Sequence, residues 1–117
     1  MFAHGALLRK NFFSVDQLKA IVKDFRNADL PPEEVAMMSF AQKIIQSAHQ
    51  INEGDIAELH NLGLNDEEIF DVVTAVTARS FFSKTLDTLA AKPDDAYLEL
   101  EPELIQALTV GRPFPPQ

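Results

Sequence analysis

Apolar residues recur at three- and four-residue spacings along much of this chain, and the longest such run, residues 65–91, organises the reading of the rest. Asn65 is a helix-capping residue type, and Glu68 stands three positions on to complete a reciprocal capping box. Asp66, Glu67 and Glu68 bring negative charge to the positive end of the helix dipole. Ile69, Val72, Val73, Val76, Phe82, Leu86 and Leu89 form the expected buried stripe, with Ala75 and Ala78 filling between them. The β-branched Val72, Val73, Thr74 and Val76 favour a strand on propensity, but the length without Gly or Pro and the helical spacing predict a helix. Such a helix needs neighbours on more than one side.

Residues 1–10 predict a helix end, with Phe2, Ala6 and Leu7 on one face and Arg9 and Lys10 suited to a C-terminal turn. This apolar segment starts at Met1 with no cap before it, as though a helix were entered midway. Ser14 and Gln17 form the capping box of a second helix, with Leu18, Ile21, Val22 and Phe25 inward and an end near Asn27. Leu30, Pro31, Pro32, Glu33 and Glu34 signal a third start. Val35, Met38, Ala41, Ile45 and Ala48 then make one apolar row, with Met37, Phe40 and Ile44 beside it, so a well-buried helix is expected. Ile56, Leu59 and Leu62 mark a fourth helix over 52–62, and Gly63 with Leu64 reads as a left-handed C-cap and its hydrophobic contact, leaving a very short corner before Asn65. After Ala91 the sequence KPDD breaks the long helix, 101–108 predicts a short terminal helix, and 111–117 is an extended Pro-rich tail. A tail of that kind either covers a neighbouring subunit or stays mobile. The expected fold is all-α, about five to six helices with no sheet, forming a single helical domain over 1–110 that no repeat or linker divides.

Composition narrows the chemistry more than it narrows the fold. Cysteine is absent, so these residues offer no disulfide, no thiolate metal ligand and no cysteine nucleophile. A net charge of −8 with scattered basic residues argues against nucleic acid as a partner. No apolar run is long enough to span a bilayer and no signal-peptide layout opens the chain, so no membrane association and a cytoplasmic location are expected.

The three histidines are the natural acid–base candidates, but His49 and His60 fall near helix ends among polar residues, where a solvated role is expected. No paired-histidine spacing supports a metal site, no glycine-rich phosphate loop or nucleophile elbow is present, and no cofactor is implied. The polar interruption Arg79, Ser80, Ser83 and Lys84 in the long helix is more informative, because Arg79 with Ser83 and Ser80 with Lys84 are i,i+4 pairs. It is either a solvated face or the polar lining of a pocket between helices.

Taken in order, these segments resemble the C-terminal part of the carboxymuconolactone decarboxylase/alkylhydroperoxidase D-like superfamily, in particular its peroxidase-related branch. His4 to Arg9 is similar to the family's H-G-A-x-L-R segment. Residues 30–43, LPPEEVAMMSFAQK, and 55–70, DIAELHNLGLNDEEIF, are similar to two further segments. Residues 79–84 lie where the family often has F-N-F-x-N-R. The resemblance implies that His4 is the proton-relay histidine that follows a C-x-x-C pair, and that both cysteines and the catalytic glutamate would fall before Met1. On this reading the chain begins just inside the redox helix. It also implies that Ser80, Ser83 and Lys84 face the pocket or a subunit interface, with Lys84 keeping a charge but losing the bidentate fork of arginine.

Peroxide reduction by that chemistry needs one thiolate to attack the O–O bond and a second thiol to resolve the sulfenic acid. Serine without an activating base cannot replace them, so the resemblance combined with the composition implies no thiol peroxidase activity from these residues. Three readings stay open. The first is a peroxidase-related protein without its redox centre. The second is a decarboxylase-like lyase using His4 and the polar residues of the long helix on a small acidic lactone, a possible small-molecule substrate that few convergent basic groups stand ready to trap. The third is a non-catalytic helical oligomerisation module. Each implies a homo-oligomer built through helical faces.

Overall fold

The computed structural model describes residues 1–111, so the tail expected over 111–117 lies outside the described residues from position 112 on. Six α-helices follow one another among the described residues: α1 (Phe2–Asn11), α2 (Val15–Asp24), α3 (Pro32–Ser47), α4 (Glu53–Asn61), α5 (Asp66–Thr88) and α6 (Pro102–Leu108). Short 3₁₀ turns lie at Phe25–Asn27, Ala48–Gln50 and Asp95–Glu99, and no strand occurs among the described residues. None of the described helices is long and apolar enough to cross a membrane. The chain divides into two compact units, Met1–Asp29 with the described residues from Lys92 on, and Leu30–Ala91.

Helix starts follow the capping chemistry. The Gln17 N–H donates to Ser14 Oγ at 3.2 Å while the Ser14 N–H donates back to Gln17 Oε1 at 3.1 Å. Asn65 and Glu68 exchange the same two bonds at 2.9 Å each. A third cap, missed in the sequence, opens α4: the Gly54 N–H donates to Asn52 Oδ1 at 2.8 Å and the Asn52 N–H donates to Asp55 Oδ2 at 2.9 Å. Each satisfies backbone donors that a helix start leaves without partners.

The first unit is built on Phe2, Leu18, Leu104 and Leu108, with Phe13, Val15, Tyr97, Leu100 and Ile105 packed around them. The Phe2 and Tyr97 rings stack at a centroid distance of 5.9 Å. Leu104 is fully buried, which makes α6, expected only as a short terminal helix, central to this core. The face expected on α1 needs correction. Phe2 and Gly5 face inward, whereas Leu7 is 56% exposed. Gly5 is the reason: a Cβ there would sit 2.5 Å from Leu108 Cδ1, so α1 approaches α6 at the one position with no side chain. Arg9 Nε and Nη2 both donate to Glu101 Oε1, at 3.1 and 2.8 Å, and Lys19 donates to Glu103 at 2.9 Å.

The second unit buries Phe40, Leu59, Leu64 and Ile69, with Ala36, Met37, Ile44, Ile51, Ile56, Val72 and Val73 beside them. The burial expected for α3 is corrected accordingly. Its inward side is the Met37–Phe40–Ile44 set, Phe40 is its only buried residue, and Ile45 of the neighbouring row is 61% exposed. The corner after α4 forms as its sequence implies. Gly63 has φ +100°, its N–H donates to the His60 carbonyl at 2.9 Å, and the Leu64 N–H donates to the Leu59 carbonyl at 3.1 Å. The last of these bonds joins two buried leucines, giving a Schellman cap with its hydrophobic contact.

The long helix runs where expected, but its stripe does not hold. Ile69 is buried and Val72, Val73 and Val76 are half-buried, while Phe82, Leu86 and Leu89 are exposed. At about 100° per residue, the six-residue step from Val76 to Phe82 turns about 240° around the helix, so the two sets occupy different faces. Phe70 and Phe81, 65% and 73% exposed, define a third face. Apolar residues thus surround α5 on several sides, the pattern of a helix that is covered all round. The helix ends in a second Schellman cap with Ala90 at φ +54°, its N–H donating to the Asp87 carbonyl and the Ala91 N–H to the Leu86 carbonyl.

Candidate functional site

The face of α5 that begins as core, at Ile69, Val72, Val73 and Val76, continues toward the C-terminus as Arg79, Ser80, Ser83 and Lys84. Helix α3 ends at Ser47, and its last turns supply Ile45. Between them lies an open groove of about 490 Å³ lined by Ile45, Ala75, Val76, Arg79, Ser80, Ser83 and Lys84. Its floor is apolar and its rim carries two cations, Arg79 and Lys84, five positions apart on α5. The lining contains no carboxylate and no imidazole.

Neither Arg79 nor Lys84 is ion-paired among the described residues, whereas Arg9, Lys19 and Lys43 all are. Thr74, Thr77 and Thr85 turn their hydroxyls back onto carbonyls of the preceding turn, while no such bond engages Ser80 or Ser83 among the described residues. Both serines are half-buried. The groove therefore holds hydroxyls and cations whose bonding capacity the described residues do not use.

The structure brings Ser80, Ser83 and Lys84 together and adds Arg79 and Ile45 to them. Ile45 is legible only in three dimensions, since its spacing reads as core. His4 belongs to the other compact unit, exposed on α1, and is not among the groove residues. His49 is exposed as expected. His60 is exposed too, but both of its nitrogens are engaged: Nδ1 lies 2.8 Å from the Leu64 carbonyl oxygen and Nε2 3.0 Å from Asp66 Oδ1. It ties the end of α4 to the start of α5.

Asp55 is the most engaged carboxylate of the second unit. Lys43 Nζ donates to both of its oxygens at 2.7 Å, linking α3 to α4. That bond, followed by the Asn52 N–H, holds the Asp55 carboxyl below the usual carboxylate range. Glu101 in the first unit is also lowered, by its own backbone N–H and then by Arg9, and Lys19 is raised by its bond to Glu103. No cluster of three metal-ligating side chains occurs among the described residues.

These helices, caps and corner define an all-α fold of the alkylhydroperoxidase D-like type. A solved neighbour is the crystal structure of an alkylhydroperoxidase AhpD core, an uncharacterized peroxidase-related protein from Ralstonia eutropha JMP134. It matches at a TM-score of 0.75 and 28% identity over 82% of this chain. This chain spans 50% of that neighbour's length. No protein-family model and no curated protein matches the chain.

Proposed function

We propose that residues 1–117 form a cytoplasmic, peroxidase-related AhpD-like protein that assembles through its helices and performs no thiol peroxidase reaction with its own residues. The observation that carries this reading is an AhpD-like fold in a chain with no cysteine. Thiols for peroxide reduction would have to come from outside these residues, because no hydroxyl or imidazole here can accept and return two electrons. Assembly is supported by α5, whose Phe81, Phe82 and Leu89 are 73%, 57% and 74% exposed. No nucleic-acid or membrane partner is part of this reading.

The test is consumption of an alkyl hydroperoxide by the purified 117-residue chain with a dithiol reductant. The expected rate equals the rate of reductant alone. Saturable turnover that scales with protein concentration would overturn the reading.

A decarboxylase-like lyase is the second reading, favoured by the convergence of Arg79 and Lys84 on one groove, which answers the need for a cationic trap. Such an enzyme also needs a group to move a proton at the reacting carbon. The groove lining offers only Lys84 for that, so the non-redox assembly reading is preferred.

A further inference from the structure

The α5 groove combines features that the assembly reading does not use. Its floor of Ile45, Ala75 and Val76 is hydrocarbon, while Arg79 and Lys84 stand unpaired among the described residues at its rim with the free hydroxyls of Ser80 and Ser83 between them. Two cations thus line one apolar groove in a chain of net charge −8.

We infer that this groove binds an amphipathic monocarboxylate, its head group held by Arg79, Lys84 and the two serine hydroxyls and its hydrocarbon part laid on Ile45, Ala75 and Val76. Charge complementarity selects the head group. A guanidinium presents a planar fork that matches a carboxylate, and lysine adds a point charge beside it. The overall negative field of the chain opposes ligands with several negative charges, which favours one charge over two or three. The apolar floor selects the rest of the ligand, since a small hydrophilic anion would leave it wet. The groove's volume is in the range of small-molecule sites. No step of bond making is implied, because the lining holds neither carboxylate nor imidazole.

The experiment is a titration of the isotopically labelled 117-residue chain with octanoate, followed by amide chemical shifts, with acetate and octylammonium as comparison ligands. Octanoate should saturate shifts at Ile45 and along Ala75 to Lys84. Acetate, with the head group alone, and octylammonium, with the opposite charge, should each bind about tenfold or more weakly. Arg79→Gln and Lys84→Gln should each weaken octanoate by about three- to tenfold, a range discounted for their exposure. Lys23→Gln, which removes an exposed cation from α2, should leave it unchanged. Several outcomes would overturn the inference: no saturable shift at the groove, equal binding of octylammonium, or equal binding by the Arg79→Gln/Lys84→Gln double variant. It also fails if the groove amides respond only to protein dilution and not to octanoate, for then a second copy of the chain is the occupant.

Discussion

Replacing Gly5 with alanine tests the packing of the first unit at its tightest point. Two effects oppose each other. Alanine inside a helix is favoured over glycine by about 0.8–1 kcal/mol. Against this, the new Cβ would lie 2.5 Å from Leu108 Cδ1 and 2.8 Å from Cδ2, where ordinary contact begins at 3.4 Å. Leu108 would have to retreat by about 0.9 Å, yet it is only 3% exposed and packs against Phe2, Leu18 and Leu104. Overpacking of that kind costs roughly 1–3 kcal/mol, so the net expectation is a loss of about 1 kcal/mol for Gly5→Ala. For a chain of this size that corresponds to about 3–6 °C in Tm. The assay is urea denaturation followed by far-UV circular dichroism, with a double-mutant cycle against Leu108→Ala and, where that variant is too unstable, Leu108→Val. With the leucine shortened, the same Gly5→Ala change should become stabilising by about 0.8–1 kcal/mol, a coupling near 2 kcal/mol. The reasoning is refuted if Gly5→Ala stabilises the wild-type chain, or if the cycle is additive within about 0.5 kcal/mol.

Three further outcomes are expected. Gly63→Ala should destabilise the chain by about 1–2 kcal/mol in a denaturant titration, because the residue sits at φ +100° with open space around it and the whole effect is backbone strain. Ala90→Gly should do the reverse by about 0.5–1 kcal/mol, since an alanine now occupies the left-handed position of the α5 cap at φ +54°. Asp55→Asn should lower stability at pH 7 by removing the Lys43 bond and weakening the α4 cap. The Asp55 carboxyl is lowered in the folded chain, so its contribution is full above its unfolded value near 4 and is lost as pH falls through the lowered folded value. Thermal melts of Asp55→Asn and wild type should therefore converge below that window; a difference that persists at full strength under strong acid contradicts the assignment.

What sequence reasoning could see was whatever short-range chemistry decides. The Ser14–Gln17 and Asn65–Glu68 boxes and the Gly63–Leu64 corner depend on residues within six positions of one another, and each forms as read. Which face of a helix is buried depends on distant residues. Gly5 is an inward position only because Leu108 lies against it, and Ile45 is exposed because it lies about 100° around α3 from Ile44, off the side that meets the core. The α5 stripe failed for a different reason, since spacings of three and four were joined across a six-residue gap that changes the face. The groove residues Ser80, Ser83 and Lys84 stood out as a polar interruption, but nothing in the sequence distinguished a solvated face from a lining. Their unpaired state among the described residues, and the partnership with Ile45, required the structure.

The account turns on α5, whose apolar residues point in several directions while the described chain covers only one of them. The most direct test is light scattering on the purified 117-residue chain at micromolar concentration, beside the Phe81→Ser/Leu89→Ser variant. The prediction is a homo-oligomer for wild type and a shift toward monomer for the variant, with far-UV circular dichroism unchanged because both side chains are more than 70% exposed. A wild-type chain that is monomeric throughout this range would contradict the claim that α5 is an assembly surface.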